Sequence, residues 1–378
     1  MLNKSKRFVV CFLFLIISTS LMSMTKVWVS WEGENFFREL CREWESETGE
    51  RVELVYVPEL EEKLTITLKA GGDMPDICLI KTDNLPVILE HVQPVNTSRI
   101  DDLDFNFDPK LVQAFHYQSN DYVFPFYADM QLMYLSTKIF EELGLVLPDN
   151  DWTFEEYLQI MQVINETDHQ PCGWGINSAY IFTGLQSGMG SPLMDDKGKI
   201  HLITKENINL LTNFKKWYDA GLLFDYVNRP NIVKAFSKGE LALFPQGSFL
   251  IQKFQSSGLD FVIRPLPQPW QSVIDPKGFI LFNDSENTVS LLKIFLKATE
   301  SFARDFIKYP ATRPQNPEQI PFYAQMKKTI DNGIMQPIDD QYVFGYWPAM
   351  GTALDLILKE GVAVTEALEK AQAYIDQR

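Results

Sequence analysis

Residues 122–145 read YVFPFYADMQLMYLSTKIFEELGL. The first part, 122–134, is dense in aromatic and apolar residues, is broken by Pro125, and reads as a strand. Asp129 sits in its middle. The second part changes period: Ile139, Phe140 and Leu143 recur at helical spacing, and Gly144 stops the helix. A strand that carries rings and one carboxylate at its centre is suited to join two domains and to line the space between them.

On its N-terminal side the chain alternates. Residues 26–31 (KVWVSW) predict a strand, and Phe36, Phe37, Leu40, Cys41 and Trp44 mark a helix that stops at Gly49. Residues 51–57 (RVELVYV) predict a second strand, 60–70 a helix ended by Gly71-Gly72, 76–80 (DICLI) a third strand and 84–92 a third helix. Such alternation predicts right-handed crossovers and a parallel sheet. In these sheets ligands gather beyond the carboxyl ends of the strands. Here those ends hold Trp31, Glu32, Glu59, Lys81 and Asp83, the first candidate site residues.

On the C-terminal side Thr153 and Glu156 have the spacing of a capping box. Residues 182–191 are Gly-rich and read as a loop with a helical piece. Leu210, Leu211, Phe214 and Trp217 mark a helix, 241–244 (LALF) a strand, and Gln246-Gly247-Ser248-Phe249 a turn. Strands are predicted at 261–263 and 278–282, and closing helices at 346–360 and 365–377.

At 378 residues the chain exceeds one ordinary core, so two domains are expected. With 46 % hydrophobic and 22 % charged residues it is globular. Residues 1–23 have the basic start, the short apolar run and the small residues of a secretory signal peptide. The apolar run is too short for a membrane span. Its removal takes away Lys4, Lys6 and Arg7, moving the formal net charge from −16 to −19. So acidic a surface disfavours nucleic acid and anionic lipid as partners. Cys41, Cys78 and Cys172 remain, odd in number and widely spaced, and no disulfide is demanded.

His91, His116, His169 and His201 are isolated from one another and from the cysteines, so no metal site is expected. No phosphate-cradling loop, dinucleotide fingerprint or nucleophile elbow occurs. No cofactor and no catalytic residue is assigned. A pair of carboxylates of the glycosidase kind stays open.

Several motifs, in this order, resemble the extracellular solute-binding proteins of bacterial ABC importers, in the sugar-binding group that includes maltose-binding protein. They are Glu47-Thr48-Gly49; Ala70-Gly71-Gly72 with Pro75-Asp76-Ile77; Tyr122 with Pro125; Met133-Tyr134, Ser136, Lys138 and Phe140; Trp152 to Glu156; Phe236, Gly239 and Ala242-Leu243 leading to Gly247; Pro265-Leu266-Pro267; and Glu366-Ala367-Leu368. The resemblance runs from about Lys26 to the C-terminus. Leu135-Ser136 and Phe249 depart from it, standing where the family often has Tyr-Asn and tryptophan.

The resemblance implies an α/β, two-lobed periplasmic-binding-protein fold (type II), with parallel-rich sheets, flanking helices and three interlobe crossings near 127–133, 276–282 and 309–314. One lobe would hold 24–127 plus 280–312, the other 128–279 plus 313–378. It implies a non-enzymatic, exported, monomeric protein with two partners, a carbohydrate ligand and an inner-membrane ABC permease. It adds Tyr127, Asp129, Phe182, Gln186, Gln246, Phe249, Tyr346 and Trp347 to the candidate ligand contacts. A buried carboxylate at Asp129 would need a partner, which a sugar hydroxyl supplies. Rival expectations are a cationic ligand such as a polyamine, held by Glu32, Glu59, Asp83 and Asp129; an exported glycan hydrolase; and a chemosensory receptor partner.

Overall fold

The structure, a computed structural model, describes residues 24–377 apart from 102, 104 and 196. The expected signal peptide lies outside the described residues.

The strand Met24–Val29 pairs in parallel with Arg51–Tyr56 on one side and Ile77–Lys81 on the other. Between them, the helix Glu34–Thr48 buries Phe37, Cys41 and Trp44 on one stripe and ends at Gly49 in the left-handed conformation. That conformation is open to glycine without a Cβ penalty.

Phe124–Ser136 is a thirteen-residue strand with every residue buried. Its first half pairs antiparallel with the strand Val273–Leu281. Its second half pairs antiparallel with Leu241–Gly247 and with Phe261–Arg264. Val273–Leu281 in turn lies antiparallel to Ile77–Lys81. Leu241–Gly247 is flanked by Gln170–Trp174 in parallel, and that strand by Leu223–Asp225. Among the described residues these strands belong to one eleven-stranded mixed sheet. Its two ends are parallel, as the strand–helix alternation predicts. Its middle is antiparallel, because the long strands pass through it in opposite directions.

The three expected crossing segments meet there. Pro276 and Lys277 face Ala128 and Tyr127 on one side, and Tyr309 and Pro310 face the same two residues on the other. The cores follow the two halves of the sheet. Phe37, Trp44, Phe126, Phe279 and Phe302 pack on the first. Tyr134, Trp152, Trp174, Phe244 and Leu354 pack on the second.

The capping box forms as expected. Thr153 N donates to Glu156 at 2.6 Å, and Glu156 N to Thr153 Oγ1 at 3.2 Å. One expectation is corrected in extent: of the stretch 182–191, read as a loop with a helical piece, residues up to Gly188 belong to a ten-residue helix, Ala179–Gly188. Its glycines serve packing. A Cβ on Gly184 would collide with the Gln271 carbonyl, and one on Gly188 with the Pro269 carbonyl. Cys41, Cys78 and Cys172 are buried and unpaired. Among the described residues no helix is long and apolar enough to cross a membrane.

Candidate functional site

A cavity of about 420 Å³ opens between the two halves of the sheet. Lys81, Asp83, Gln246, Phe249 and Trp347, all singled out from sequence, line it together with Tyr180, Tyr226, Arg229, Asp275 and Gln336. Lys81 and Asp83 come from the end of the third strand and the 3₁₀ turn Thr82–Asn84. Asn84 Oδ1 fixes that turn by accepting from Lys81 N at 3.0 Å. Gln246 and Phe249 flank a glycine turn. A Cβ on Gly247 would overlap the Phe249 ring, so glycine there makes room for it. Trp347 opens the helix Trp347–Leu358 directly after a π-helical stretch, Gln341–Tyr346.

The cavity wall pairs rings with polar groups. Trp347 stands edge-on to Tyr180, with centroids 6.3 Å apart. The Arg229 guanidinium lies 4.6 Å over the Phe249 ring. Asp83 Oδ2 accepts from Lys81 Nζ at 2.7 Å, while Asp83 Oδ1 and Gln336 Oε1 are buried without a partner among the described residues. Burial pushes the Asp83 carboxyl up to about 7; Lys81 opposes this, and Asp275 and Glu61 add to it. A buried polar oxygen left without any hydrogen-bond partner is unfavourable by about 1–3 kcal/mol, so these two oxygens mark the polar part of the wall.

Four further candidates, Trp31, Glu32, Tyr127 and Asp129, gather at the meeting point of the long strands, around two buried lysines. Lys277 Nζ lies 2.8 Å from Asp129 Oδ2 and 2.8 Å from Asp275 Oδ2. Lys308 Nζ lies 2.8 Å from Asp129 Oδ1 and 2.6 Å from Glu32 Oε1. Ser248 Oγ also donates to Asp129 Oδ1, at 2.6 Å. The Tyr127 ring centre lies 5.4 and 5.7 Å from the two ammoniums, and Lys277 is 5.7 Å from the Trp31 ring. Burial alone would raise the Asp129 pKa, but Lys277 and Lys308 outweigh it and hold the carboxyl well below its usual range. Burial acts to lower the Lys277 pKa, and Asp129, Asp275 and Glu32 reverse it, leaving the ammonium charged. The buried Asp129 carboxylate thus has its partners within the protein, and Asp275 joins this ion chain to the cavity.

The model of the bacterial extracellular solute-binding protein family matches residues 30–317. The chain belongs to that family. It is 28 % identical over 225 residues to the maltotriose-binding protein of Pyrococcus abyssi, an alignment that spans 57 % of this chain and about half (47 %) of that relative. Among solved structures it is similar to an ABC substrate-binding protein from Listeria monocytogenes in complex with cycloalternan (15 % identity, TM-score 0.78, 94 % of this chain and 98 % of that one). It is also similar to a cyclo/maltodextrin-binding protein complexed with maltotetraose (20 % identity, TM-score 0.77, 94 % and 96 %). The GacH receptor of Streptomyces glaucescens is comparable (16 % identity, TM-score 0.78, 94 % and 97 %). At these identities the structural likeness speaks to the fold.

In this solute-binding chain the other candidates stand apart from the cavity. Glu59 is exposed ahead of the helix Leu60–Lys69, with no side-chain cap bond. Phe182 packs against Phe214 in the core, centroids 5.7 Å apart. Gln186 and Tyr346 bind each other, the tyrosine hydroxyl donating to Gln186 Oε1 at 3.0 Å, and both are fully buried. Sequence reasoning missed Asp275, Lys277, Lys308 and Gln336. Asp275 and Lys277 did leave a signal, two charges flanking Pro276 within an apolar strand. Gln336 left none, lying after a two-residue strand with no periodic pattern.

Proposed function

We propose that this family member captures a sugar or oligosaccharide outside the inner membrane and delivers it to an ABC permease without turning it over. The observation that carries this reading is one cavity holding the rings of Tyr180, Phe249 and Trp347 beside the unpartnered acceptors Asp83 Oδ1 and Gln336 Oε1. A pyranose offers both faces such a wall needs: an apolar C–H surface for rings and hydroxyls for acceptors. The names of the relatives point the same way. The lobes would be 24–127 plus 280–312 and 128–279 plus 313–378, closing about the meeting point of the three segments. Trp31 and Tyr127 then belong to the hinge beside the ligand. Asp129 acts by holding Lys277 and Lys308 rather than by touching sugar.

A polyamine would need carboxylates free to face it. Asp129 and Glu32 are bound to lysines, Asp83 is shared with Lys81, and Glu59 points elsewhere. A hydrolase would need two free carboxyl groups, yet Asp83 and Asp275 are each engaged by an ammonium. Thermal-shift screening of neutral oligosaccharides beside spermidine and putrescine tests the reading. A sugar should raise the melting temperature by mass action and be recovered uncut. A shift with polyamines alone, or release of reducing ends, would overturn it.

A further inference from the structure

We infer that Gln336 is a specificity-determining residue of the cleft, pairing its carboxamide with a ligand hydroxyl at the hinge end of the cavity. This rests on the carbohydrate reading above. Gln336 follows the short strand Ile334–Met335, which pairs in parallel with Val273 and Ile274 of the second long strand. That register sets Gln336 beside Asp275, and both side chains line the cavity. Gln336 is only 7 % exposed, yet Oε1 has no partner among the described residues. A glutamine amide has two donors and an acceptor to satisfy, and one held this deep without a partner is unfavourable unless water or a ligand hydroxyl completes it.

The neighbours set the selection. Asp83 Oδ1 is a second unpartnered oxygen in the same wall, so the hinge end calls for hydroxyls, which can both donate and accept. A hydroxyl meets Gln336 as donor and acceptor at once. An ether oxygen or a deoxy carbon cannot donate to Oε1 and leaves it stranded. Sites built this way discriminate far more strongly than apolar pockets, because the wrong ligand leaves a buried polar group unpaired. Gln336 therefore reads hydroxylation at one sugar unit, while Phe249 and Trp347 hold ring faces with little regard to it.

The test is calorimetric titration of maltotriose, maltotetraose, cellotriose and xylotriose into the wild-type protein, Gln336→Met and Gln336→Glu. Methionine keeps the side-chain length and removes both hydrogen-bonding groups; glutamate keeps an acceptor. For a sugar the wild type binds, Gln336→Met should bind roughly 10- to 100-fold more weakly, with Gln336→Glu between them and the ligand-free melting temperature of Gln336→Met no lower than that of the wild type. Monodeoxy analogues of that sugar should include one that weakens wild-type binding but leaves Gln336→Met no worse. Equal affinity of wild type and Gln336→Met, or a lowered melting temperature with affinity intact, overturns the inference and leaves the carbohydrate reading standing. Failure of the wild type to bind any of the four sugars counts against that reading itself.

Discussion

Asp129 on one long strand and Lys277 on the other stand 2.8 Å apart, with side chains only 4 % exposed. They sit where three segments of the chain lie side by side, and Lys308 carries the pairing to the third. An ion chain at that point fixes the relative placement of the segments without filling the space with apolar side chains.

Lys277→Met should destabilise the protein by about 3–5 kcal/mol, because it leaves Asp129 and Asp275 buried beside one fewer cation. Adding Asp129→Asn to that variant should recover part of the loss, since the two residues act as a unit. Urea unfolding of the single and double variants measures both. A loss under about 1 kcal/mol for Lys277→Met would mean the chain is not the tie described.

The two carboxylates have opposite pH signatures. Asp83 is raised to about 7 from an ordinary value of 3.8, so between those values the folded protein keeps a proton that the unfolded chain has lost. Its contribution is fully present below about pH 4 and is lost as pH rises through about 7. Asp129 is depressed, so its contribution is present above about pH 4 and is lost as pH falls below that. Denaturation of wild type and Asp83→Asn from about pH 4.5 to 7.5 should show the wild type losing ground to the variant as pH rises. A constant difference would contradict the environment assigned to Asp83.

Replacing a helical glycine by alanine usually stabilises by about 1 kcal/mol. Gly184→Ala should do the reverse, by about 1–3 kcal/mol, because its Cβ would meet the Gln271 carbonyl. Thermal unfolding decides the sign, and a raised melting temperature would contradict the packing.

What the sequence made legible follows from local periodicity. The alternation from Met24 to Lys81, the cap at Thr153 and the stop at Gly49 are short-range patterns, and they form as read. Lys81 and Asp83 are legible as residues at the carboxyl end of a strand, Gln246, Phe249 and Trp347 through the family resemblance, and the fold brings all five to one cavity. The rest depends on register between distant segments. Nothing near Asp129 says that Lys277 and Lys308 will meet its two oxygens, 148 and 179 residues away. The extent of the helix Ala179–Gly188 within and ahead of the Gly-rich stretch 182–191 is not legible locally, because the need for glycine lies in Gln271 and Pro269 across the helix.

The most direct measurement is isothermal titration of the neutral oligosaccharide that most raises the melting temperature, into wild type and into Trp347→Ala. One-to-one binding by the wild type, with the sugar recovered uncut and affinity at least about tenfold weaker in Trp347→Ala, is the expected result. Equal binding by the variant, or a cleaved sugar in the cell, would contradict capture in this cleft.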